Sequence, residues 1–89
     1  MQINHQRDAA RFHATIEGHE AELTYRLGGG RMTVNHTGVP NAIGGRGVAA
    51  DLVRAALEFA RSEGLKVVPA CSYAAAYIQR HPDYADLTA

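Results

Sequence analysis

From Arg11 to Glu17, the apolar residues Phe12, Ala14 and Ile16 alternate with polar ones at a period of two, which puts them on one face of a strand. Gly18 follows, and the alternation restarts from Glu20 to Leu27 through Ala21, Leu23, Tyr25 and Leu27. A tight Gly-His connection between the two runs predicts a hairpin. Gly28-Gly29-Gly30 breaks the pattern, and Arg31 to Val39 resumes it through Met32, Val34 and His36 before Pro40. From Gly47 to Glu63 the period changes. Val48, Leu52, Val53, Ala56, Leu57 and Ala60 recur at spacings of three and four, with Asp51, Arg54, Glu58 and Arg61 on the other side, and Gly64 stands where a left-handed cap would close the helix. Leu65 to Val68 reads as a short apolar strand ended by Pro69, and alanine-rich Ser72 to Arg80 as a second helix stopped by Pro82. The order β-β-β-α-β-α predicts an α/β fold: one domain over residues 1–89, with a mostly antiparallel sheet and no repeat or linker.

Composition narrows the function classes. With 46% apolar and 20% charged residues, the 89-residue chain is globular in character, and no stretch approaches the roughly 20 apolar residues of a membrane span. Nine basic residues balance nine acidic ones, so the charge excess that displaces phosphate counterions from nucleic acid is missing. No nucleic-acid or membrane partner is expected. A chain this short buries only about 60 to 65% of its unfolded surface, so a bound ligand adds usefully to its stability. The single cysteine, Cys71, forms no internal disulfide, and Met1-Gln2-Ile3-Asn4-His5 lacks the apolar core of a secretory signal. A cytoplasmic location is expected, and the Asn35-His36-Thr37 glycosylation pattern is set aside.

The most informative segment runs from Val39 through Gly44, Gly45, Arg46, Gly47 and Val48 to Ala49: a strand ends, glycines follow and a helix begins. Free amides at a helix N-terminus favour anions, and glycines let a phosphate reach the backbone. A P-loop is excluded, because no Lys-Ser or Lys-Thr follows the glycines. Gly45, Gly47 and Ala50 fit the dinucleotide pattern by letter, but the next strand ends in Val68-Pro69-Ala70 without the ribose-binding carboxylate, and the chain is too short for a doubly wound sheet. A pyrophosphate turn for coenzyme A and a plain glycine-rich connection both stay open on the glycines alone.

His36-Thr37-Gly38-Val39-Pro40, Gly45-Arg46-Gly47-Val48-Ala49, Leu52-Val53, Ala56-Leu57, the run from Gly64 to Tyr73, and Tyr77-Ile78 through His81-Pro82 together resemble the small, single-domain branch of the Gcn5-related N-acetyltransferases. The likeness covers Phe12 to Leu87, with Lys66 to Pro82 its most specific block. It implies a minimal form of that fold, binding acetyl-CoA as co-substrate between the strand at His36–Val39 and the strand at Lys66–Val68. The implied coenzyme contacts are Val39, Gly44, Gly45, Arg46, Gly47, Val48, Ala49, Cys71, Tyr77 and Arg80. The family pattern has Gln or Arg three positions before its first glycine, where this chain has Ala42. The elements that build the acceptor site in longer relatives have no counterpart here.

Acetyl transfer from a thioester to an amine needs a base for the amine proton and an acid for the departing thiolate. His36, near the acetyl end by resemblance, suits the first role, and Tyr77 the second. Cys71, between a strand and a helix, is placed for a lowered thiol pKa, and a two-step route through it with His36 as partner competes with direct attack. Structural roles compete for His36 and Cys71: a hydrogen-bonded histidine and a small packing cysteine. Tyr73, one turn before Tyr77, is expected to pack with its hydroxyl at the rim, and Arg80 and His81 lie within reach of coenzyme phosphates. His5, His13 and His19 show no ligand spacing, and no metal site is argued. The expected function is acetyl-CoA-dependent N-acetyl transfer by direct attack of an amine, the acceptor being a small amine, a peptide or a protein lysine. The alternative is a noncatalytic acyl-CoA-binding or protein-interaction module on the same fold. The sequence sets neither the acceptor nor the oligomeric state.

Overall fold

A computed structural model describes all residues, Met1–Ala89. Five strands form one sheet in sequential order: β1 (Asn4–Gln6), β2 (Arg11–Ile16), β3 (His19–Gly28), β4 (Arg31–Gly38) and β5 (Lys66–Pro69). The first four are antiparallel, and β5 joins β4 in parallel after the crossover through helix α1 (Val48–Ser62). Helix α2 (Ser72–Arg80) follows. The predicted elements are all present, and β1 and two short 3-10 segments, Asn41–Ile43 and Pro82–Leu87, are added.

The hairpin chemistry corrects the sequence reading at the first turn and adds to it at the second. The first turn is Glu17-Gly18 rather than Gly-His, because Ile16 pairs directly with His19 and both turn residues have positive φ, 52° and 79°. The glycine run is itself a hairpin turn: Gly29 and Gly30, at φ 59° and 76°, join Gly28 to its partner Arg31. Two left-handed residues in a two-residue loop match the twist of the strands they join, and glycine adopts them without steric cost.

One face of the sheet is covered. Phe12, Ala21, Leu23, Tyr25, Met32, Val34 and Val67 from the strands pack against Val48, Leu52, Val53, Ala56, Leu57 and Ala60 of α1 and Ala74, Tyr77 and Ile78 of α2 in one cluster. The helix period found in the sequence is thus the buried stripe of α1. Truncating Leu57, 1% exposed, to alanine is a cavity substitution that costs about 2 to 5 kcal/mol. The C-terminal segment adds Tyr84 and Leu87 to the same cluster. Tyr84 Oη donates to Glu58 at 2.5 Å, Arg61 grips Asp86 at 3.1 and 3.2 Å, and Thr88 bridges Val67 beyond the edge of β5. The other face, carrying Arg11, His13, Glu20, Glu22, Thr24 and His36, has no helix over it.

Candidate active site

Strands β4 and β5 pair from Arg31 with Lys66 to Val34 with Pro69, and there the pairing stops. One further bond, from the Cys71 amide to the Val34 carbonyl at 3.0 Å, marks the fork. Beyond it β4 continues to Gly38 against β3 alone, while the chain after β5 turns into α2. Pro69 contributes to the split, since it has no amide for a ladder bond.

A register shift sits at this fork. Thr24 pairs with His36 but Tyr25 pairs with Val34, so Asn35 is an extra residue on β4, a bulge that reverses the facing of every later side chain. Met32 and Val34 face the helices, as their alternation predicts. His36 does not continue that series: it lies on the open face with a side chain 57% exposed, and Thr37 takes the helix-side position opposite Leu23.

Thr37 Oγ1 lies 3.6 Å from the Cys71 thiol. Cys71 is the N-cap of α2, with extended φ and ψ of −94° and 132°. Burial pushes the thiol pKa up, but the Ala74 amide, the Thr37 hydroxyl and the Tyr73 amide all favour the thiolate and outweigh it, leaving the thiol below its ordinary range. The neighbour of Cys71 is therefore Thr37 and not His36, which stands on the opposite face of the sheet.

The glycine turn leads into α1 through Gly45 and Gly47, at φ 77° and 76°. The first bond of the helix runs from the Asp51 amide to Gly47 O at 3.0 Å, and no side chain caps the end. The amides of Gly45, Arg46, Gly47, Val48, Ala49 and Ala50 have no backbone carbonyl partner. A Cβ built on Gly45 or Gly47 meets no atom within 4 Å, so the turn is open above its backbone. Arg46 contributes its amide only, since its guanidinium holds Glu17 at 2.6 and 3.3 Å, tying the turn to the tip of the first hairpin.

Between α1 and α2 runs a cleft of about 460 Å³ lined by Ala50 and Arg54 on one side and by Tyr73, Ala76, Tyr77 and Arg80 on the other, with His81 at its end. Tyr77 is held by His81, whose ring stacks on it at 3.9 Å and whose Nδ1 is 2.8 Å from the Tyr77 carbonyl. Burial is the main cause of a raised Tyr77 pKa, opposed by Arg54, so the phenol keeps its proton at neutral pH. Arg54 pairs with Asp51 at 2.6 Å, whereas Arg80 has no ion-pair partner. The sequence-predicted residues thus fall into three places: Gly44 to Ala49 at the turn, Cys71 at the fork, and Tyr77 and Arg80 in the cleft. His36 stands apart on the open face. Arg54 and Tyr73 also line the cleft; their one signal in the sequence is the polar stripe of α1 and the helical spacing of Tyr73 from Tyr77.

A parallel pair that forks beside an uncapped helix N-terminus, with a cleft between the two following helices, places this domain in the acetyltransferase class of α/β folds. The sequence profile described as GCN5-related N-acetyl-transferase matches residues 11–87, and the chain belongs to that family. It is 38% identical over 85 residues to Protein NATD1 of Gallus gallus, covering 92% of this chain and 77% of that one. The corresponding identity to Protein NATD1 of Homo sapiens is 36%, covering 92% and 75%. The NMR solution structure of a GCN5-like protein from Staphylococcus aureus superposes with a TM-score of 0.79 at 30% identity, over 99% of this chain and 87% of the other. No helix is long and apolar enough to cross a membrane.

Proposed function

We propose that the protein transfers an acetyl group from acetyl-CoA to an amine by direct attack. The observation that carries this reading is the row of unpartnered amides from Gly45 to Ala50, opening beside the cleft of Tyr73, Tyr77 and Arg80. Those amides and the α1 dipole suit a pyrophosphate. The cleft suits the part of the coenzyme between that pyrophosphate and the thiol, Tyr77 lying toward the thiol, with Arg80 free to meet a phosphate. The fork between β4 and β5 suits the pantetheine arm, since β4 beyond Val34 has lost its β5 partner. With the thioester at the fork, the neutral amine approaches from the open face, where His36 stands, bonds to the carbonyl carbon and gives its proton to His36, and the C–S bond breaks. The departing thiolate takes a proton from Tyr77, whose raised pKa keeps it available.

A second reading has its own observation. The Cys71 thiol, at the fork and below its ordinary pKa, suits an acetyl carrier that takes the group from coenzyme A and passes it on. Direct attack is favoured because His36 is not beside that thiol and so does not act as its base.

The test is acetyl-CoA alone and with a panel of amines: spermidine, a peptide with a free N-terminus and a lysine peptide. Coenzyme release that depends on an amine, with the acetylated amine found by mass, is the expected result. Acetyl-CoA at 100 times its dissociation constant stabilises the fold by about 2.7 kcal/mol. Binding without turnover on any amine favours the noncatalytic acyl-CoA module, and an unchanged melting temperature at millimolar acetyl-CoA overturns coenzyme binding itself.

A further inference from the structure

The placement of His36 depends on three features of the sheet that the transfer chemistry above does not itself require. The bulge at Asn35 turns His36 onto the open face. Gly38, two residues on and on the same face, has no side chain: a Cβ there would lie 2.8 Å from His36 Nε2 and 3.3 Å from its Cε1. The imidazole therefore occupies the space that any other residue at 38 would fill. Gly38 is paired across the sheet with Glu22. A ring laid along β4 over Gly38 consequently meets that carboxylate, with Nε2 3.9 Å from Glu22 Oε2.

We infer that Glu22 is the positioning residue for His36: its carboxylate, opposite Gly38, draws the Nε2 side of the imidazole along the strand and leaves Nδ1 as the nitrogen that takes the acceptor proton. This rests on the acetyl-transfer reading. At 3.9 Å the carboxylate acts by charge and orientation, not by a direct hydrogen bond. Glu22 is itself placed by Arg11 of β2, whose Nη1 is 3.8 Å from Glu22 and whose Nη2 is 2.8 Å from Glu20. His13, also on β2, stands 3.8 Å from Glu20. These are the charged and titratable groups that face the pair from β2 and β3, and β5 has already diverged from β4 at Val34. In the step served, the amine nitrogen bonds to the thioester carbon as its proton passes to Nδ1, the C–S bond breaks, and Tyr77 protonates the thiolate. Solvent then returns the proton from the imidazolium to the Tyr77 phenolate.

The experiment compares Glu22→Ala, Glu22→Gln and Gly38→Ala in the full chain by two readouts. The first needs no turnover: the ring-current displacement of the Gly38 Hα resonances, assigned against His36→Gln. Glu22→Ala and Glu22→Gln, which both remove the charge, are each expected to collapse that displacement. The second is the rate of transfer from acetyl-CoA to the most active amine of the panel. Glu22→Ala, Glu22→Gln and Gly38→Ala should each lower kcat about tenfold with an unchanged KM for acetyl-CoA. A Gly38 displacement unchanged in Glu22→Ala, or a kcat unchanged while the wild type turns over, overturns the role of Glu22. A wild type that acetylates no amine counts against the transfer reading instead, and the resonances still decide whether Glu22 places the ring.

Discussion

The two faces of the sheet bear on the two halves of the proposed reaction by different means. On the helix side, the coenzyme region is made of backbone and small residues: free amides at the turn, Ala50 and Ala76 in the cleft walls, and a fork left by Pro69. On the open side, the region of His36 is made of charged side chains in pairs, Arg11 with Glu20 and Glu22, and Glu22 with His36. Backbone geometry follows from the fold, so the proposed coenzyme binding depends little on single side chains. Side-chain pairs on an open surface are set by single residues, so the proposed handling of the acceptor depends on them.

Filling the cleft is the most severe way to break this contrast. Ala50→Phe places a ring at a half-buried helical position in the cleft wall and should weaken acetyl-CoA about 100-fold, equivalent to about 2.7 kcal/mol, with little change in the melting temperature of the free protein. Calorimetric titration and a thermal melt check both halves. If the free protein unfolds instead, Ala50 is a packing position and the cleft is not a ligand site.

Removing one hydroxyl comes next. Tyr77→Phe keeps the stack on His81 and should lower kcat about 100-fold while leaving coenzyme affinity in place, the split expected of a proton donor used in the transition state. Equal losses in affinity and rate would make Tyr77 a wall of the cleft only.

At the fork, Cys71→Ala separates the two routes. Direct attack predicts that much of the rate survives, that stability falls by about 1 kcal/mol from the lost packing, and that no acetyl thioester appears on the wild type by intact mass after acetyl-CoA alone. A thioester that forms and passes its acetyl group to an amine at a competent rate transfers the role to Cys71.

Much of the helix-covered side was legible in the sequence because periodicity reports burial. The stripe Val48, Leu52, Val53, Ala56, Leu57 and Ala60 is the buried face of α1, and Gly64 has the left-handed φ of 67° expected of a cap. The open side was not legible in this way. A bulge leaves no mark in hydrophobic alternation when Asn35 and the residues after it, His36 and Thr37, are all polar, so alternation alone puts His36 in phase with Met32 and Val34. Its partner Glu22 stands fourteen positions away in a strand whose polar residues read as a solvated face. Strand β1 escaped because three residues carry no period; His5 holds it by stacking on Phe12 at 3.9 Å and bonding Tyr25 Oη at 2.6 Å. The segment after Pro82 escaped because proline ends a helix but does not end packing: Tyr84 and Leu87, three apart, both reach the core.

The smallest effects lie away from both regions, at the two ends of the chain. Burial first, and then Arg7, hold the His5 pKa below the usual imidazole value. The unfolded chain therefore binds the proton more readily, and the stability due to His5, complete above about pH 6.5, is lost as the pH falls through the lowered pKa. Burial, and then the bond to Glu58, push Tyr84 up to about 12. Its contribution is complete below about pH 10 and is lost as the pH rises toward the folded value. His5→Gln should flatten the acid limb of a denaturant-midpoint profile and Tyr84→Phe the alkaline limb, each leaving the other limb in place. A limb unchanged by its own variant removes that residue from the account.

The central claim, that acetyl-CoA lies along the turn, the fork and the cleft, is tested most directly by an amide chemical-shift map of the labelled protein as acetyl-CoA is added. The largest displacements are expected at Gly45 to Ala50, at Thr37 and Cys71, and at Tyr73, Tyr77 and Arg80, with Arg11, His13 and Glu20 on the open face little moved. No saturable displacement, or displacement confined to the open face, would contradict it.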